Sequence, residues 1–356
     1  MDFIIRLANN DDRPAIIGFL REHWSHDHIL VQSSALFDWQ HLSSTHPGQL
    51  NFVLALHTTS QAVLAILGFI PISQFSLCTE WSETFLAIWK ARDDVRCVGL
   101  GAQLHKYLIL RTQPAMIGAV GLSRMVVPIY RALGYQTGLL DHHVVFNPHR
   151  RTFSIASGVE RQHIPAVVRP DPATRCIPLI DAPGSPILEA LCTGAVPRKT
   201  WHYVRRRYFQ HPFYRYHVFG LFLDGTPRAI LIARKVQEND SAVLRVSDYL
   251  GDATVLPRFQ GALQEILATE NAEYLDIYQH GIDDNILTAA GFLNRRQQPS
   301  LIVPNYFEPF VAANIELDFA YKQCDPSLDG IRIFRGDADQ DRPNQPLTKQ
   351  MVELDV

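Results

Sequence analysis

The same order of predicted elements occurs in each half of the chain, and this repeat limits the fold more than any other feature. In the first half, two hydrophobic runs of hairpin type precede the strand TFLAIWKA, a helix and the strand PAMIGAVG. In the second half, a hairpin with its turn at Asp224-Gly225 precedes the strand SAVLRVSDYLGD, a helix and the strand AEYLDIYQHG. Each series then ends in a short helix, IYRALGY in one half and ILTAAGF in the other. The pattern predicts an α/β (α+β) fold in two tandem copies, with mixed central sheets flanked by helices.

The predicted copies are joined by a segment rich in proline and polar residues. We predict a first domain at residues 1–150, a linker at 151–190, a second domain at 191–345 and a C-terminal tail at 346–356. The chain of 356 residues is long enough for two hydrophobic cores. Its 47% hydrophobic and 19% charged residues are typical of globular domains.

Charge and cysteine content narrow the possible functions. The formal net charge of −3 argues against non-specific binding of nucleic acid, which requires a basic surface. The five cysteines are scattered without a C-x-x-C pair, which fits a reducing compartment and predicts no thiolate metal site. The sequence starts without a secretory signal pattern and has no run of about 20 apolar residues, so we expect a cytoplasmic protein that does not enter a membrane.

A glycine-containing turn follows the strand TFLAIWKA. The stretch RCVGLGAQLHKYL places Arg96, Gly99 and Gly101 where this strand gives way to a helix. Backbone N–H groups at a helix N-terminus form an anion site with the helix dipole, and glycines let the backbone approach the anion closely. A dinucleotide-binding turn is less favoured, because no third glycine follows at the required spacing. The other alternative is a helix start that binds nothing.

The spacing R-x-x-G-x-G/A-x-x-L, which ends at Leu104, resembles the pyrophosphate loop of the GNAT acyl-CoA-dependent N-acyltransferases. The resemblance extends to the strand before the loop and to the helix with IYRALGY after it. It implies two GNAT-like domains and an acyl-CoA co-substrate. The CoA-binding residues that it implies are Ile88, Trp89 and Lys90 of the strand, and Arg96, Val98, Gly99, Leu100, Gly101 and Ala102 of the loop.

The resemblance also gives Tyr130 a role, as the general acid that protonates the departing CoA thiolate. The alternative is that Tyr130 only packs its helix against the sheet. In the second copy, Leu287 stands at about the place of this tyrosine, and DYLGDATVL replaces the glycine turn. We therefore expect the second copy to be degenerate and only the first copy to bind CoA.

Candidate acceptor-site residues follow the first predicted helix. An amine attacks a thioester only after it loses a proton, because an ammonium ion has no lone pair. The stretch HWSHDHIL offers Asp27 and His28 as candidate catalytic residues and His26 as a substrate contact, and LFDWQH adds Trp39 and Gln40. A structural role is the alternative for each histidine, and the identity of the base stays open. The alternating histidines lack a third ligand, so we predict no metal site.

The second half carries aromatic and basic residues in one stretch, KTWHYVRRRYFQHPFYRYH. Arg206 and Tyr214 suit a nucleotide, because aromatic rings stack on bases and arginine pairs with a diphosphate. A solvated helix with an aromatic core face is the alternative. Strand ends are where α/β folds bind ligands. The polar residues near strand ends that we predict to bind substrate are Asp248, Asp276, His280, Asn305, Tyr306 and Glu308.

One further polar run, GDADQDRPN, begins like a calcium loop. It has Arg342 where the calcium pattern requires glycine and Thr348 where it requires glutamate. We interpret this run as a loop or as a segment that contacts a sugar.

Nearly the whole chain resembles a narrower group, the two-unit sugar N-acyltransferases of bacterial surface-polysaccharide pathways. The stretches that carry this resemblance are EHWSHDHILVQSSALFDWQH, RCVGLGAQL, IYRALGY, HPFYRY, VPNYFEPF and DADQDRPN. It implies transfer of an acetyl or 3-hydroxybutanoyl group from CoA to the amine of a nucleotide-linked amino-deoxy sugar, for O-antigen and lipopolysaccharide synthesis. A dTDP-3-amino-3,6-dideoxyhexose is favoured, and a UDP-linked sugar is the alternative. The second domain would then be the nucleotide-sugar platform.

The mechanism and the alternatives follow from what the sequence lacks. No Cys or Ser lies in a nucleophile-elbow context, so we expect direct attack in a ternary complex. Because two fused units provide what a dimer of single units would, we expect a monomer or a weak homodimer. The other functions that stay open are an aminoacyl or peptide N-acyltransferase of the cell-wall branching type and a CoA-binding module without turnover.

Overall fold

Two mixed β-sheets, each completed by a strand from the other half of the chain, form the framework of the protein. The computed structural model describes residues 2–78, 82–94, 99–238 and 240–344. The elements of the first half are β1 (Phe3–Asn9), α1 (Arg13–His23), α2 (Ile29–Gln32), α3 (Ser34–His41), β2 (Gln49–His57), β3 (Val63–Pro71), β4 (Thr84–Ala91), α4 (Leu100–Thr112), β5 (Met116–Leu122), α5 (Val127–Ala132), β6 (Gln136–Leu139) and β7 (Asp141–Phe146).

The second half continues with a comparable series. Its elements are β8 (Thr174–Pro178), α6 (Pro186–Cys192), α7 (Trp201–Val204), β9 (His217–Leu223), β10 (Thr226–Glu238), β11 (Ser241–Gly251), α8 (Gln260–Thr269), β12 (Ala272–His280), α9 (Asp284–Ala289), β13 (Leu293–Asn294), β14 (Tyr306–Phe307), β15 (Phe310–Val311), β16 (Asp318–Gln323) and β17 (Ile333–Phe334). No helix within the described residues is long and apolar enough to cross a bilayer.

The two sheets have the same strand order. The first runs β1-β2-β3-β4-β5-β16-β6, and the second runs β8-β9-β10-β11-β12-β7-β13. In each sheet one neighbouring pair is parallel, β4 with β5 and β11 with β12, and the other pairs along these paths are antiparallel. This matching order confirms the predicted α/β class and the two tandem copies. We call each sheet with its helices the first unit and the second unit.

The strand next to the end of each sheet comes from the opposite half of the chain. β16 lies between β5 and β6, and β7 lies between β12 and β13. The sequence TGLLDHHVVFNP, predicted as one strand, is therefore two strands in different sheets. They separate at Leu140, whose buried backbone N–H donates to the Leu317 carbonyl at 2.9 Å.

The segment predicted as a linker, residues 151–190, also contains regular structure. It includes β8, which pairs with β9 at the edge of the second sheet, and most of α6. A strand with a sheet partner is part of a domain rather than a connection between domains. The boundary at residue 150 stays a prediction, and the exchanged strands cross it in both directions.

The cores explain how the halves are held together. The first sheet is covered on one face by α4 and on the other by α1, α2 and α3. A third core contains residues of both halves, including Phe75 and Phe85 from the first and Trp201 and Tyr203 from the second. Burying aromatic side chains of this size contributes strongly to stability, so the contact between the halves is part of the folded structure.

Candidate active site

A gap opens between the two parallel strands of the first sheet. β4 pairs with β5 at Thr84, Phe85 and Leu86, whose last partner is Ala119. Beyond this point β4 carries a bulge against β3, since Leu67 and Phe69 are two residues apart while their partners Trp89 and Leu86 are three apart. A bulge bends the strand and changes its direction. Residues 87–91 therefore lie beyond the last pair with β5, and we call this opening the first gap.

Helix α4 begins next to the first gap at a glycine. Gly99 is the N-cap residue and has a φ of +78°, a conformation that favours glycine. The first backbone N–H groups of a helix have no partner inside it and suit an anion. Arg96 and Val98 of the predicted loop lie outside the described residues. Leu100 is buried in the core and Ala102 is exposed.

The side chain of Trp89 covers the start of this helix. A Cβ atom at Gly101 would lie 3.0 Å from the Trp89 indole nitrogen, so a larger residue at position 101 would displace the ring. Ile88 points to the opposite face, into the core under α1. Lys90 is half-buried and pairs with Asp93 at 2.8 Å. The three predicted strand residues thus lie along the first gap with their side chains directed differently.

Tyr130 on α5 lies against the same tryptophan. Its ring is 5.7 Å from Trp89 and 5.0 Å from Tyr135, and the Tyr135 hydroxyl is 2.6 Å from the His105 imidazole. Burial, and then the charge of Asp339, raise the pKa of Tyr130 above its ordinary value. The phenol therefore keeps its proton at neutral pH, as a proton donor to a thiolate must.

A segment from the end of the second half reaches the first gap. We call residues 333–342 the C-terminal segment. Its Gln340 lies against Gly121 at the end of β5, where φ is +77° and any side chain would overlap Gln340. Arg342 has its guanidinium 3.5 Å from Asp339 and 3.3 Å from the His28 imidazole. The sequence does not identify Asp339 and Gln340 as residues near the first gap, because the polar run GDADQDRPN begins like a calcium loop.

His28 caps α2 and faces Arg342. Its Nδ1 accepts a hydrogen bond from the Leu30 backbone N–H at 3.3 Å. Burial, and then the charge of Arg342, lower the pKa of His28 to about 4, so the imidazole is neutral at neutral pH. His26 and Asp27 lie 3.0 Å apart with 76% and 87% of their side chains exposed. The structure thus brings His28 next to the C-terminal segment and leaves His26 and Asp27 in solvent.

The sequence comparisons find no match, whereas solved structures match over most of the chain. No protein-family model and no curated protein matches the sequence. A GCN5-related N-acetyltransferase from Anabaena variabilis aligns with a TM-score of 0.57 and 11% identity, over 91% of this chain and 73% of that one. A probable N-acyltransferase of unknown function from Enterococcus faecalis aligns with 0.55 and 8%, over 91% and 73%. Eis1 from Mycobacterium abscessus aligns with 0.50 and 13%, over 91% and 74%.

The chain has the fold of the GCN5-related N-acetyltransferases. Sequence identities of 8–13% show a shared fold but not a shared reaction. The predicted GNAT-like architecture is confirmed for both units, while the nucleotide-sugar subtype stays a prediction.

Trp39 and Gln40 occupy different environments in the first GNAT-like unit. The Trp39 ring lies 4.5 Å from the His211 ring and 4.7 Å below the Arg207 guanidinium, both from the second unit. Gln40 is buried, with its amide nitrogen 3.0 Å from the His41 imidazole. Trp39 therefore lies where the two units meet, and Gln40 lies inside the first unit.

Tyr214 and Glu308, both from the second half, extend this contact within the second half. The Tyr214 hydroxyl donates to Glu308 at 3.0 Å, and its ring stacks on His211 at 5.1 Å. The Arg234 guanidinium lies 3.8 Å from the centre of the Tyr214 ring, a cation–π arrangement. We call Trp39, His211, Tyr214 and Arg234 the interface aromatic cluster. Two of its members were predicted from the sequence, Trp39 in the first half and Tyr214 in the second.

Other predicted substrate residues lie apart from this cluster. Arg206 is half-buried on the turn after α7, and Tyr306 is half-buried on β14. His280 packs its ring 4.6 Å from the Phe319 ring, and burial lowers the pKa of its imidazole. None of these positions has a geometry that singles out a ligand.

Three predicted substrate residues are buried and bonded to the chain itself. Asp248 accepts from Lys199 at 2.6 Å and from Tyr208 at 2.7 Å. The buried Asp276 lies 3.0 Å from the His142 imidazole and accepts two hydrogen bonds from Arg245. The backbone carbonyl of Asn305 accepts from Arg245 and Arg335, and its side-chain amide donates to the Ile315 carbonyl at 2.9 Å. Contact with a substrate would require these bonds to open, so the structure gives these residues a role in stabilising the second unit.

The corresponding gap in the second unit is filled. β11 has a bulge against β10 at the equivalent place, between Val246 and Asp248, and its pairing with β12 ends at Val246. Here β17 pairs with the end of β12, and Gly336 lies so close to Ser247 that a Cβ would be 2.6 Å from the Ser247 carbonyl oxygen. Leu287, which stands in place of the tyrosine, is fully buried in the core. We call this opening the second gap, and the C-terminal segment occupies it.

The described residues contain no group of side chains that would bind a metal ion. Among residues 2–78, 82–94, 99–238 and 240–344, no three His, Cys, Asp or Glu side chains are grouped closely enough to hold a metal ion.

Proposed function

We propose that the protein is an N-acyltransferase that moves an acyl group from CoA to an amine. The observation that carries this proposal is the first gap: a bulged β4 that leaves β5, a helix that starts at a positive-φ glycine beside it, and Tyr130 facing both. The backbone of residues 87–91 suits pairing with an extended pantetheine arm, and the start of α4 suits its pyrophosphate.

The proposed reaction is a direct attack in a ternary complex. Backbone N–H groups on the diverging part of β4 polarise the thioester carbonyl. The acceptor nitrogen then adds to the carbonyl carbon, and the carbon–sulfur bond breaks. Tyr130, whose phenol is protonated at neutral pH, donates its proton to the departing thiolate.

For the acceptor, we propose the amine of a nucleotide-linked amino-deoxy sugar, with dTDP-3-amino-3,6-dideoxyhexose favoured. The resemblance of HPFYRY and VPNYFEPF to the sugar N-acyltransferases supports this choice. In the interface aromatic cluster the Tyr214 ring already contacts His211 and Arg234. Arg234 also lies 3.6 Å from both Glu308 and Asp341, so a base or a diphosphate would bind there only if these contacts opened. The acyl group would be acetyl or 3-hydroxybutanoyl, and the product would serve bacterial surface-polysaccharide synthesis. A monomer or weak homodimer would be sufficient for this reaction.

Release of free thiol tests the proposal. Purified protein is incubated with acetyl-CoA or 3-hydroxybutanoyl-CoA and a panel of amines that includes dTDP- and UDP-amino sugars. We expect thiol release with an amino sugar. We expect Gly101→Glu to abolish it, because the new side chain displaces Trp89 and places a negative charge where the pyrophosphate binds. Gly18→Glu is the matched control, since Gly18 lies in α1 with open space around its Cβ position.

Other results would change the assignment. Thiol release with peptide or aminoacyl acceptors alone would favour the cell-wall branching type of transferase. Tight CoA binding without release across the whole panel would indicate a binding module. Thermal stabilisation by dTDP compared with UDP identifies the nucleotide class, because a ligand that binds only the folded state raises the melting temperature.

A further inference from the structure

We propose that the Asp339 carboxylate accepts the proton that the acceptor amine loses, so that the end of the second unit supplies the base for the first unit. This inference rests on the proposed function. It gives the filled second gap a purpose, because the segment that fills it also carries Asp339 to the first gap.

The C-terminal segment is anchored on both sides of Asp339. Before it, Arg207 donates to the carbonyl oxygens of Gly336 and Ala338, at 3.0 Å each. After it, Asp341 accepts from Ser247 at 2.6 Å and from Tyr216 at 2.8 Å. Bonds of this length to buried partners restrict the backbone of the residues between them. The position of Asp339 is therefore determined by the second unit.

Asp339 itself is buried but only loosely bonded. Its side chain is 6% exposed, yet its contacts with Arg342 and Gln340 within the described residues are both 3.5 Å long. Asp341, two residues later, is held by shorter bonds. A carboxylate with unused acceptor capacity can take a proton from a substrate.

The neighbours of Asp339 come from three parts of the chain. The adjacent Gln340 lies against Gly121 at the end of β5, and burial, then the charge of Asp339, raise the pKa of Tyr130 on α5. Arg342 and Gln340 approach it from its own segment, and His28 approaches Arg342 from the start of α2. Burial raises the pKa of Asp339 against the opposing effect of Arg342. A raised pKa makes a carboxylate a stronger base for an ammonium ion.

His28, the alternative base, is placed less favourably. Its Nε2 faces the Arg342 guanidinium, and a proton on that nitrogen would put two positive charges 3.3 Å apart. Burial, and then the charge of Arg342, lower the pKa of His28 to about 4. Between the two groups, Asp339 is the one whose protonation the surroundings favour.

The protons of the transfer can all be assigned. Asp339 takes the first proton from the ammonium ion, and the resulting amine forms a bond to the thioester carbon. When the carbon–sulfur bond breaks, the thiolate receives the Tyr130 proton. The phenolate then takes the second proton from the nitrogen, and the third stays on the amide. The proton on Asp339 leaves to solvent, so one acyl transfer releases one proton, one amide and one free thiol.

The test compares Asp339→Asn with the wild-type protein and with Asp325→Asn. Asp325 is a half-buried aspartate whose backbone N–H donates to the Ala115 carbonyl at the opposite end of β5, and its variant should match the wild type. For Asp339→Asn we expect kcat/KM for an alkylamine acceptor at pH 7 to fall by about 100-fold or more. The CoA affinity and melting temperature should change little. Asp339→Glu, which keeps a carboxylate, should retain more activity than Asp339→Asn.

Two readouts separate a base from a structural residue. With hydroxylamine, whose nitrogen is largely unprotonated at pH 7, Asp339→Asn should be as active as the wild type within about threefold, because no base is needed. With an alkylamine, the wild-type kcat/KM should level off below the pKa of the amine, whereas the variant rate should keep rising to that pKa. The wild-type pH profile keeps the proposal testable even if Asp339→Asn does not fold.

The outcomes distinguish this inference from the proposed function. If the wild type transfers acyl groups and folded Asp339→Asn is equally active, or equally impaired with hydroxylamine, the inference is wrong and the function stands. A wild-type profile that rises to the pKa of the amine without levelling off would also overturn it. If the wild type transfers to no amine, the proposed function itself fails.

Discussion

The first and second gaps have the same backbone origin and opposite contents. Each lies where a bulged strand leaves its parallel neighbour, β4 from β5 and β11 from β12. The first is bordered by a helix that starts at Gly99 and by Tyr130, whereas the second holds the C-terminal segment, with Gly336 against Ser247. The comparison shows how a repeated fold can keep its backbone geometry while its use changes. The first gap is open to a ligand, and the second gap binds a segment of the same chain.

The filled gap is held by buried charges rather than by apolar packing alone. Lys199 lies 2.6 Å from both Asp248 and Asp337, and the side chains of all three are almost fully buried. Buried ions are costly unless each is paired, so this arrangement is favourable only while the segment is in place. Binding of the C-terminal segment in the second gap therefore depends on all three side chains together.

The largest effect that we predict concerns this triad. Lys199→Met removes the shared cation and leaves two buried carboxylates without the positive charge that pairs them, which should lower the free energy of unfolding by about 3–5 kcal/mol. Urea unfolding followed by tryptophan fluorescence measures the change. Lys235→Met is the matched control, because Lys235 is half-exposed and its pair with Glu270 contributes less than about 1 kcal/mol. A loss below 1 kcal/mol in Lys199→Met would contradict the role of the triad.

A second prediction concerns how pH affects the free energy of unfolding through Asp337 in the second gap. Burial, and then the neighbouring Asp248, raise the pKa of Asp337 to about 6 from an ordinary value of 3.8, against the opposing charge of Lys199. The folded state then binds a proton that the unfolded state has lost, so the contribution of Asp337 to the stability of the protein falls as the pH rises from about 4 to 6. Asp337→Asn cannot titrate.

The measurement is the difference in unfolding free energy between the wild type and Asp337→Asn at pH 4 and at pH 6.5. We expect the wild type to lose stability relative to the variant over this range. A difference that stays constant, or that changes in favour of the wild type, would show that the carboxylate titrates near its ordinary pKa.

A third prediction concerns the first gap. Tyr130→Phe removes the phenol proton and keeps the ring against Trp89, so kcat should fall by about 100-fold, which is about 2.7 kcal/mol of activation free energy. The CoA dissociation constant should stay within about threefold. Tyr107→Phe, a half-buried tyrosine of α4, serves as the control. Equal activity in Tyr130→Phe would mean that this tyrosine only packs its helix.

The sequence predicted most of the elements but not how they are shared between the sheets. Local hydrophobic periods identify strands and helices, and they located β9 to β12 and α4 correctly. Strand exchange depends on contacts between distant residues, such as the Leu140 bond to Leu317, and no local pattern contains them. The strand β16 was not predicted separately for the same reason.

The sequence predicted the candidate CoA-binding residues more fully than the residues around the acceptor amine. Glycines at a helix start and a tyrosine on the next helix are local signals. Asp339 and Gln340 reach the first gap only because the second unit holds their segment, and Asp248 looks like a strand-end ligand until Lys199 is placed beside it. Polar residues do not reveal from sequence whether their partners are substrates or other parts of the chain.

The smallest effect that we predict distinguishes the glycines of the first unit. Gly18 lies in the interior of α1 with open space around its Cβ position, so Gly18→Ala should raise the free energy of unfolding by about 0.5–1 kcal/mol and leave activity unchanged. Gly101→Ala should instead weaken CoA binding, because its Cβ meets Trp89. Equal effects of the two variants on CoA binding would remove the distinction between a helix glycine and a site glycine.

Isothermal titration calorimetry with acetyl-CoA tests the difference between the two gaps most directly. We predict one binding site per chain, because the first gap is bordered by the glycine helix start and the second is filled by the C-terminal segment. We also predict that Gly101→Glu abolishes this binding while the protein remains folded. Two sites per chain, or a single site that survives in folded Gly101→Glu, would contradict the account.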